Sequence, residues 1–213
     1  MKLYSYWRST AAYRVRVALN VKRLDYEIKP VHLVKDGGEQ LKDAYKAINP
    51  QSLVPALEIA EGQVLTQSLA IIDYLEDAFP QNPLYPIVAI EKAQAKAMAL
   101  SIACDIHPLN NLRVLKYLKG NGWQQDQVDQ WYAHWIHEGF TAIERQLKNS
   151  AGQYCFADEI SVADIFLVAQ VYNANRFKVK LLDYPLICEI NERCLQQQVF
   201  IDALPENQMD CDL

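Results

Sequence analysis

Apolar residues crowd from Leu3 to Trp7 and then recur at Ala11, Val15, Ala18 and Leu19, a change from a continuous run to helical spacing. The pattern predicts a strand that hands over to a helix at Ser9 and Thr10, where a hydroxyl residue can cap the helix and its first N–H groups attract anions. Residues 25–33 read as a second strand, Asp36-Gly37-Gly38 as a break, and 39–48 as a short helix. Asn49-Pro50-Gln51-Ser52 is a turn, and Val54-Pro55 stands directly before the apolar run 56–59, a place where proline implies an edge, a bulge or a cis bond. Ala60-Glu61-Gly62-Gln63 is a hairpin signal, and Thr66-Gln67-Ser68 opens a helix with Ile71, Ile72, Leu75 and Phe79 turned inward. The order βαβαββα describes a small mixed sheet with helices packed on it, over residues 1–80.

The prolines at 80, 83 and 86 mark residues 81–88 as a linker. Beyond it, over 89–213, the pattern is helical throughout. A long stretch over 90–119 is interrupted at Pro108, and a second helix over 126–148 carries Val128, Trp131, Trp135, Phe140, Ile143 and Leu147. Ser161 with Asp164 three residues on forms a capping box for a third, ending near Asn175; another runs over 185–197, and residues 209–213 read as a frayed tail.

A net charge of −5 argues against a nucleic-acid footprint, although Arg8, Arg14, Arg16, Lys22 and Arg23 make the first stretch locally basic, as an anionic small ligand requires. Five cysteines without a C-x-x-C pair suit a reducing compartment better than a disulfide scaffold, and no Cys/His spacing resembles a metal site. No apolar run reaches membrane-spanning length and Met1-Lys2 leads into no signal-peptide core, so the expected location is cytoplasmic, with no membrane partner.

Four motifs in this arrangement carry a resemblance. Arg8-Ser9-Thr10-Ala11-Ala12-Tyr13-Arg14-Val15-Arg16, Asn49-Pro50-Gln51-Ser52-Leu53-Val54-Pro55-Ala56-Leu57, Leu65-Thr66-Gln67-Ser68-Leu69-Ala70-Ile71-Ile72, and Asp105-Ile106-His107-Pro108-Leu109-Asn110-Asn111 taken with Asn173-Ala174-Asn175-Arg176-Phe177 are similar to those of the cytosolic glutathione transferases. The first and last point to the zeta class, which includes maleylacetoacetate isomerases and bacterial maleylpyruvate isomerases. The resemblance implies a thioredoxin-like domain with a cis-proline, followed by an all-helical domain. It also implies glutathione as cofactor and a homodimer. The activity implied is glutathione-dependent cis–trans isomerisation of a maleyl dicarboxylate, as in tyrosine and phenylalanine breakdown. Maleylpyruvate as substrate and general conjugation of electrophiles are the alternatives.

Residue by residue, the resemblance assigns Ser9 to the glutathione sulfur, with Thr10 as a neighbouring donor. A free thiol titrates at about 8.5, and lowering that by one unit takes about 1.4 kcal/mol of selective stabilisation of the anion. Thr10 as the helix cap would leave Ser9 freer to face the sulfur. Val54 and Pro55 would pair with the main chain of glutathione, and Gln67 and Ser68 would hold its γ-glutamyl end, the lesser alternative being that Ser68 only caps its helix. His107 and Asn111 would lie near glutathione, with Asn110 and Asn111 also suited to satisfying the backbone that Pro108 frees. Arg8 and Arg176 would each take a substrate carboxylate in the guanidinium fork. Arg14, Arg16 and Asp164 read as structural. Where the zeta signature has cysteine, this chain has Ala11.

Overall fold

The computed structural model describes residues 1–212. β1 (Lys2–Ser5) runs parallel to β2 (Glu27–Pro30) on one side and antiparallel to β3 (Ala56–Ala60) on the other, and β3 pairs antiparallel with β4 (Gln63–Thr66), giving the order β2-β1-β3-β4. The parallel pair requires a crossover, which α1 (Thr10–Val21) provides, whereas β3 and β4 need only a tight turn with Gly62 at φ 74°. The register sets Leu3 opposite Ile28 and Leu57, and Leu57 opposite Leu65. One apolar row therefore crosses all four strands, with Val15 and Leu19 of α1 and Ile71, Ile72 and Leu75 of α3 (Ser68–Ala78) buried in the same unit.

Two expected elements are shorter. β2 stops at Pro30, and the chain then turns so that His32 Nδ1 accepts the N–H groups of Val34 and Lys35 at 3.2 and 2.8 Å, a local side-chain to backbone arrangement that competes with a longer strand. The helix expected over 39–48 divides into a 3₁₀ turn, Glu39–Leu41, and α2 (Asp43–Lys46), because Lys42 between them is extended at ψ 148°.

The chain forms two compact units, the first made of Met1–Leu84 together with the residues from Gln196 onward, the second of Tyr85–Leu195. The sequence reading carried the helical domain on to residue 213. The segment from Gln196 onward joins the first unit, where it supplies carbonyls to the buried Arg16 and the partly buried Asn20 of α1: Arg16 Nε donates to Ala203 O at 3.0 Å, and Asn20 Nδ2 to Val199 O at 3.0 Å.

The second unit comprises α4 (Ala89–Leu100), α5 (Leu112–Gly120), α6 (Gln125–Ser150), α7 (Val162–Arg176) and α8 (Pro185–Cys194); α9 (Gln198–Ile201), which periodicity did not reveal, lies in the first. α7 is buried on nearly every side, as its almost continuous apolar sequence requires. Its predicted capping box is present, with Ser161 N–H and Oγ donating to Asp164 Oδ2 at 2.8 and 2.9 Å and Cys155 N–H donating to Oδ1 at 2.7 Å. The break attributed to Pro108 begins earlier, in a π-helical turn over Ser101–Ile106. Ile106 rests against α6 at Gly139, where an added Cβ would lie 2.1 Å from Ile106 Cδ1.

Candidate active site

In the first unit, Arg8, Ser9 and Thr10 lie where β1 gives way to α1. Ser9, at φ −74° and ψ 115°, is the N-cap of α1, and its Oγ accepts the Ala12 N–H at 3.3 Å. The expected division, with Thr10 as cap, is thereby corrected: Thr10 is the first helical residue and is buried, and only the residue before it has the extended backbone that points a side-chain oxygen back at the first turn. Capping does not exhaust Ser9. A hydroxyl has one donor and two acceptor positions, so the cap uses a lone pair and leaves the O–H to donate to an anion at the positive end of α1.

Arg8 is half-buried with its guanidinium carbon 5.0 Å from the Trp7 ring centre and 6.0 Å from that of Tyr6. Aromatic contact of this kind engages the face of the guanidinium, while the N–H fork that binds a carboxylate lies in its plane. The Asp212 carboxyl is held below its ordinary range, chiefly by His32, whose Nε2 lies 3.0 Å from it, with Arg8 a smaller contributor.

The Val54-Pro55 peptide is cis, and both residues are buried. The loop before it is pinned by Tyr45 Oη and Asn49 Nδ2, both donating to Leu53 O at 2.7 Å. Gln67 holds φ 69° and ψ 117°, a strained backbone for a residue with a Cβ, and it rather than Ser68 is the N-cap position of α3. Ser68 is therefore not a helix cap. Its buried Oγ accepts from Arg14 Nη1 at 3.4 Å, so a structural arginine orients a candidate binding residue. Gln67 Nε2 donates to Gln51 Oε1 at 2.9 Å; Gln51 stands in the turn motif already singled out, yet nothing in periodicity marks its partner. A hydroxyl donor, the N-termini of two helices and an exposed amide pair are groups that suit an anionic ligand.

In the second unit, His107 is half-buried at the end of the π-helical turn, and its N–H donates to Ile102 O at 2.9 Å. Asn111 caps α5, accepting the Arg113 N–H at 3.1 Å, while the buried Asn110 donates to Tyr132 O at 3.1 Å. Arg176 is the last residue of α7, with its guanidinium carbon 5.0 Å from the Phe177 ring centre. Phe177 in turn stacks on Tyr132 at 3.7 Å and 13°. Like Arg8, Arg176 sits on an aromatic shelf supplied by its sequence neighbour. Among the described residues, no group of three or more His, Cys, Asp or Glu could hold a metal, and no helix is long and apolar enough to cross a membrane.

Residues 3–83 match the family model described as glutathione S-transferase, N-terminal domain. A maleylacetoacetate isomerase of Pseudomonas aeruginosa is 46% identical over 210 residues, covering 99% of this chain and 98% of the relative. A holo maleylpyruvate isomerase, described as a bacterial zeta-class glutathione S-transferase, superposes with a TM-score of 0.95 at 45% identity, covering 99% of each chain. A maleylacetoacetate isomerase of Methylobacterium extorquens AM1 with bound malonate and glutathione superposes with a TM-score of 0.94 at 36% identity, covering all of both chains (100% and 100%).

Proposed function

The chain belongs to the zeta-class glutathione transferase family, and from that membership we propose that it is a glutathione-dependent cis–trans isomerase of maleyl dicarboxylates, converting maleylacetoacetate to fumarylacetoacetate. The observation that carries this reading is the 46% identity to a maleylacetoacetate isomerase along essentially the whole of both chains. When bound, glutathione supplies a thiolate that adds reversibly to the conjugated double bond and is returned unchanged.

Each residue then has a task. The Ser9 hydroxyl, oriented by its cap to Ala12, donates to the sulfur and favours its anion over the thiol. Val54 offers its backbone to the peptide of glutathione, and Gln67 and Ser68 bind the γ-glutamyl carboxylate at the start of α3. Thr10, His107 and Asn111 are proposed as neighbouring polar contacts. Arg8 and Arg176 each take one substrate carboxylate in the plane of the guanidinium, which fixes the substrate and offsets negative charge that develops beside its carbonyl. A malonate bound with glutathione in the Methylobacterium relative supports a dicarboxylate substrate. No cysteine precedes Cys104, and Ala11 replaces the signature thiol, so in the first turn of α1 the reacting sulfur is the ligand's own. A homodimer in the cytoplasm, serving tyrosine and phenylalanine breakdown, completes the proposal.

The test compares two reactions of Arg176→Ala. Isomerisation of maleylacetoacetate should fall at least about tenfold in kcat/KM, as loss of a charged hydrogen-bond pair predicts, while conjugation of a chloronitrobenzene stays near the wild-type rate. Equal loss in both reactions, or a wild-type protein that isomerises no maleyl compound, defeats the assignment. The maleylpyruvate relative makes maleylpyruvate the second substrate to assay.

A further inference from the structure

Of the segment expected to fray, Asp210, Cys211 and Asp212 are docked, and Leu213 lies outside the described residues. Gln208 Nε2 donates to Asp202 O and Leu204 O at 2.9 and 2.8 Å, and the Cys211 N–H donates to Gln208 O at 3.0 Å, closing a turn. Three successive residues then reach the β1–α1 turn and its surroundings. Asp210 Oδ2 accepts the Trp7 N–H at 2.9 Å. Cys211 packs against the apolar cluster of Tyr6, Trp7, Val31, Tyr45 and Val54, which includes the residue before the cis-proline. Asp212 Oδ2 lies 3.0 Å from His32 Nε2. Because His32 Nδ1 already accepts two backbone N–H groups, its ring proton belongs on Nε2, where it donates to Asp212.

The Trp7 peptide is the hinge of this arrangement. It follows the end of β1 and precedes the start of α1, so neither ladder nor helix provides its N–H with a partner, and a buried N–H needs one. Its carbonyl accepts from Arg16 Nη2 at 3.0 Å, and the Tyr6 carbonyl accepts the Ser9 N–H at 2.9 Å. With Asp210 on the Trp7 N–H and Arg16 on its carbonyl, the peptide that leads into Arg8 and Ser9 is held at both its polar groups. Asp210 does this with one oxygen only, while its Oδ1 is buried with no hydrogen-bond partner. Removing this carboxylate would leave the buried Trp7 N–H without a partner, so the unsatisfied Oδ1 is a cost that accompanies holding that peptide.

We propose that Asp210 is a positioning residue for the reaction, and that Gln208–Asp212 is a strap whose carboxylate fixes the Trp7 peptide and thereby the Ser9 hydroxyl and the Arg8 guanidinium. The inference rests on the glutathione-dependent reading above. In the full-length protein, Asp210→Ala should lower kcat for the maleyl substrate by about tenfold to a hundredfold, the usual effect of a catalytic group displaced by about an ångström. It should also reduce the thiolate fraction of bound glutathione, read by ultraviolet absorbance against pH. Asp210→Asn, whose amide oxygen still accepts the Trp7 N–H, should restore both to within about threefold, a change of roughly 0.7 kcal/mol at most. If Asp210→Ala melts at lower temperature yet keeps wild-type kcat and thiolate fraction, the segment is only structural and the proposal fails. It fails equally if Asn is no better than Ala. Asp210→Glu, which keeps the charge and moves the oxygens by one methylene, covers an alanine variant that does not fold: it should lose kcat and thiolate together, and wild-type values for both overturn the strap. A wild-type protein that neither holds glutathione as thiolate nor isomerises a maleyl compound defeats the functional reading itself, whereas wild-type activity unaltered by Asp210→Ala defeats the strap alone.

Discussion

The Ser9 hydroxyl accepts the Ala12 N–H at 3.3 Å, so the oxygen proposed to face the glutathione sulfur is also the one that starts α1. Ser9→Ala should therefore show two separable losses. Removal of the cap costs about 1 kcal/mol of stability, measured by urea denaturation. The thiol of bound glutathione should titrate about one unit higher, worth about 1.4 kcal/mol. Ser9→Thr, which preserves the hydroxyl, should recover most of both. A bound thiol that titrates identically in wild type and Ser9→Ala would remove Ser9 from the sulfur while leaving its cap role intact.

Gln67 is held at φ 69°. Glycine reaches that region without a Cβ penalty, so Gln67→Gly should keep or raise stability, by up to about 1 kcal/mol, although a residue proposed for glutathione binding has been removed. Glutathione affinity, measured calorimetrically, should fall in the same variant because the amide paired with Gln51 is lost. A variant that binds glutathione as tightly as wild type would show that the strained backbone alone, and not the amide, serves the ligand.

The approach of Ile106 to Gly139 is tight enough to test the π-helical turn directly. Gly139→Ala should destabilise the protein by about 1–3 kcal/mol through overpacking, and adding Ile106→Val should recover part of it by shortening the side chain that clashes. Chemical denaturation of both variants decides the matter; additive effects would mean that the two residues do not share the strain.

Asp164 is buried and accepts three hydrogen bonds, from Cys155 N–H, Ser161 N–H and Ser161 Oγ. Asp164→Ala leaves two backbone donors without a partner and should cost about 2–4 kcal/mol. At a temperature where the variant is folded, its KM for glutathione should match wild type. A large rise in KM without loss of stability would contradict the structural role.

Much of the first unit was legible because its determinants are local. The hairpin at Gly62 and the switch from continuous to helical spacing at Ser9 each depend on residues within a few positions of one another, as does the Ser161–Asp164 box of the second unit. The π-helical turn was less legible, since Pro108 drew attention to a break that begins at Ser101, and the close packing of its last residue, Ile106, against Gly139 is a tertiary contact. Gln51 was visible within its turn motif, but its pairing with Gln67 required two loops to be brought together.

From the sequence alone came the order of elements, the turn before the cis-proline, the Arg8-Ser9 stretch and the arginine at the end of α7, because periodicity, caps and turn residues act over one or two helical turns. The tertiary structure alone decided which hydroxyl caps α1, that the segment from Gln196 onward joins the first unit, and that Asp210 satisfies Trp7 across 203 positions of chain. Those outcomes depend on which buried donor finds which distant acceptor, and a backbone N–H left between a strand and a helix carries no mark in the sequence of the partner it will take.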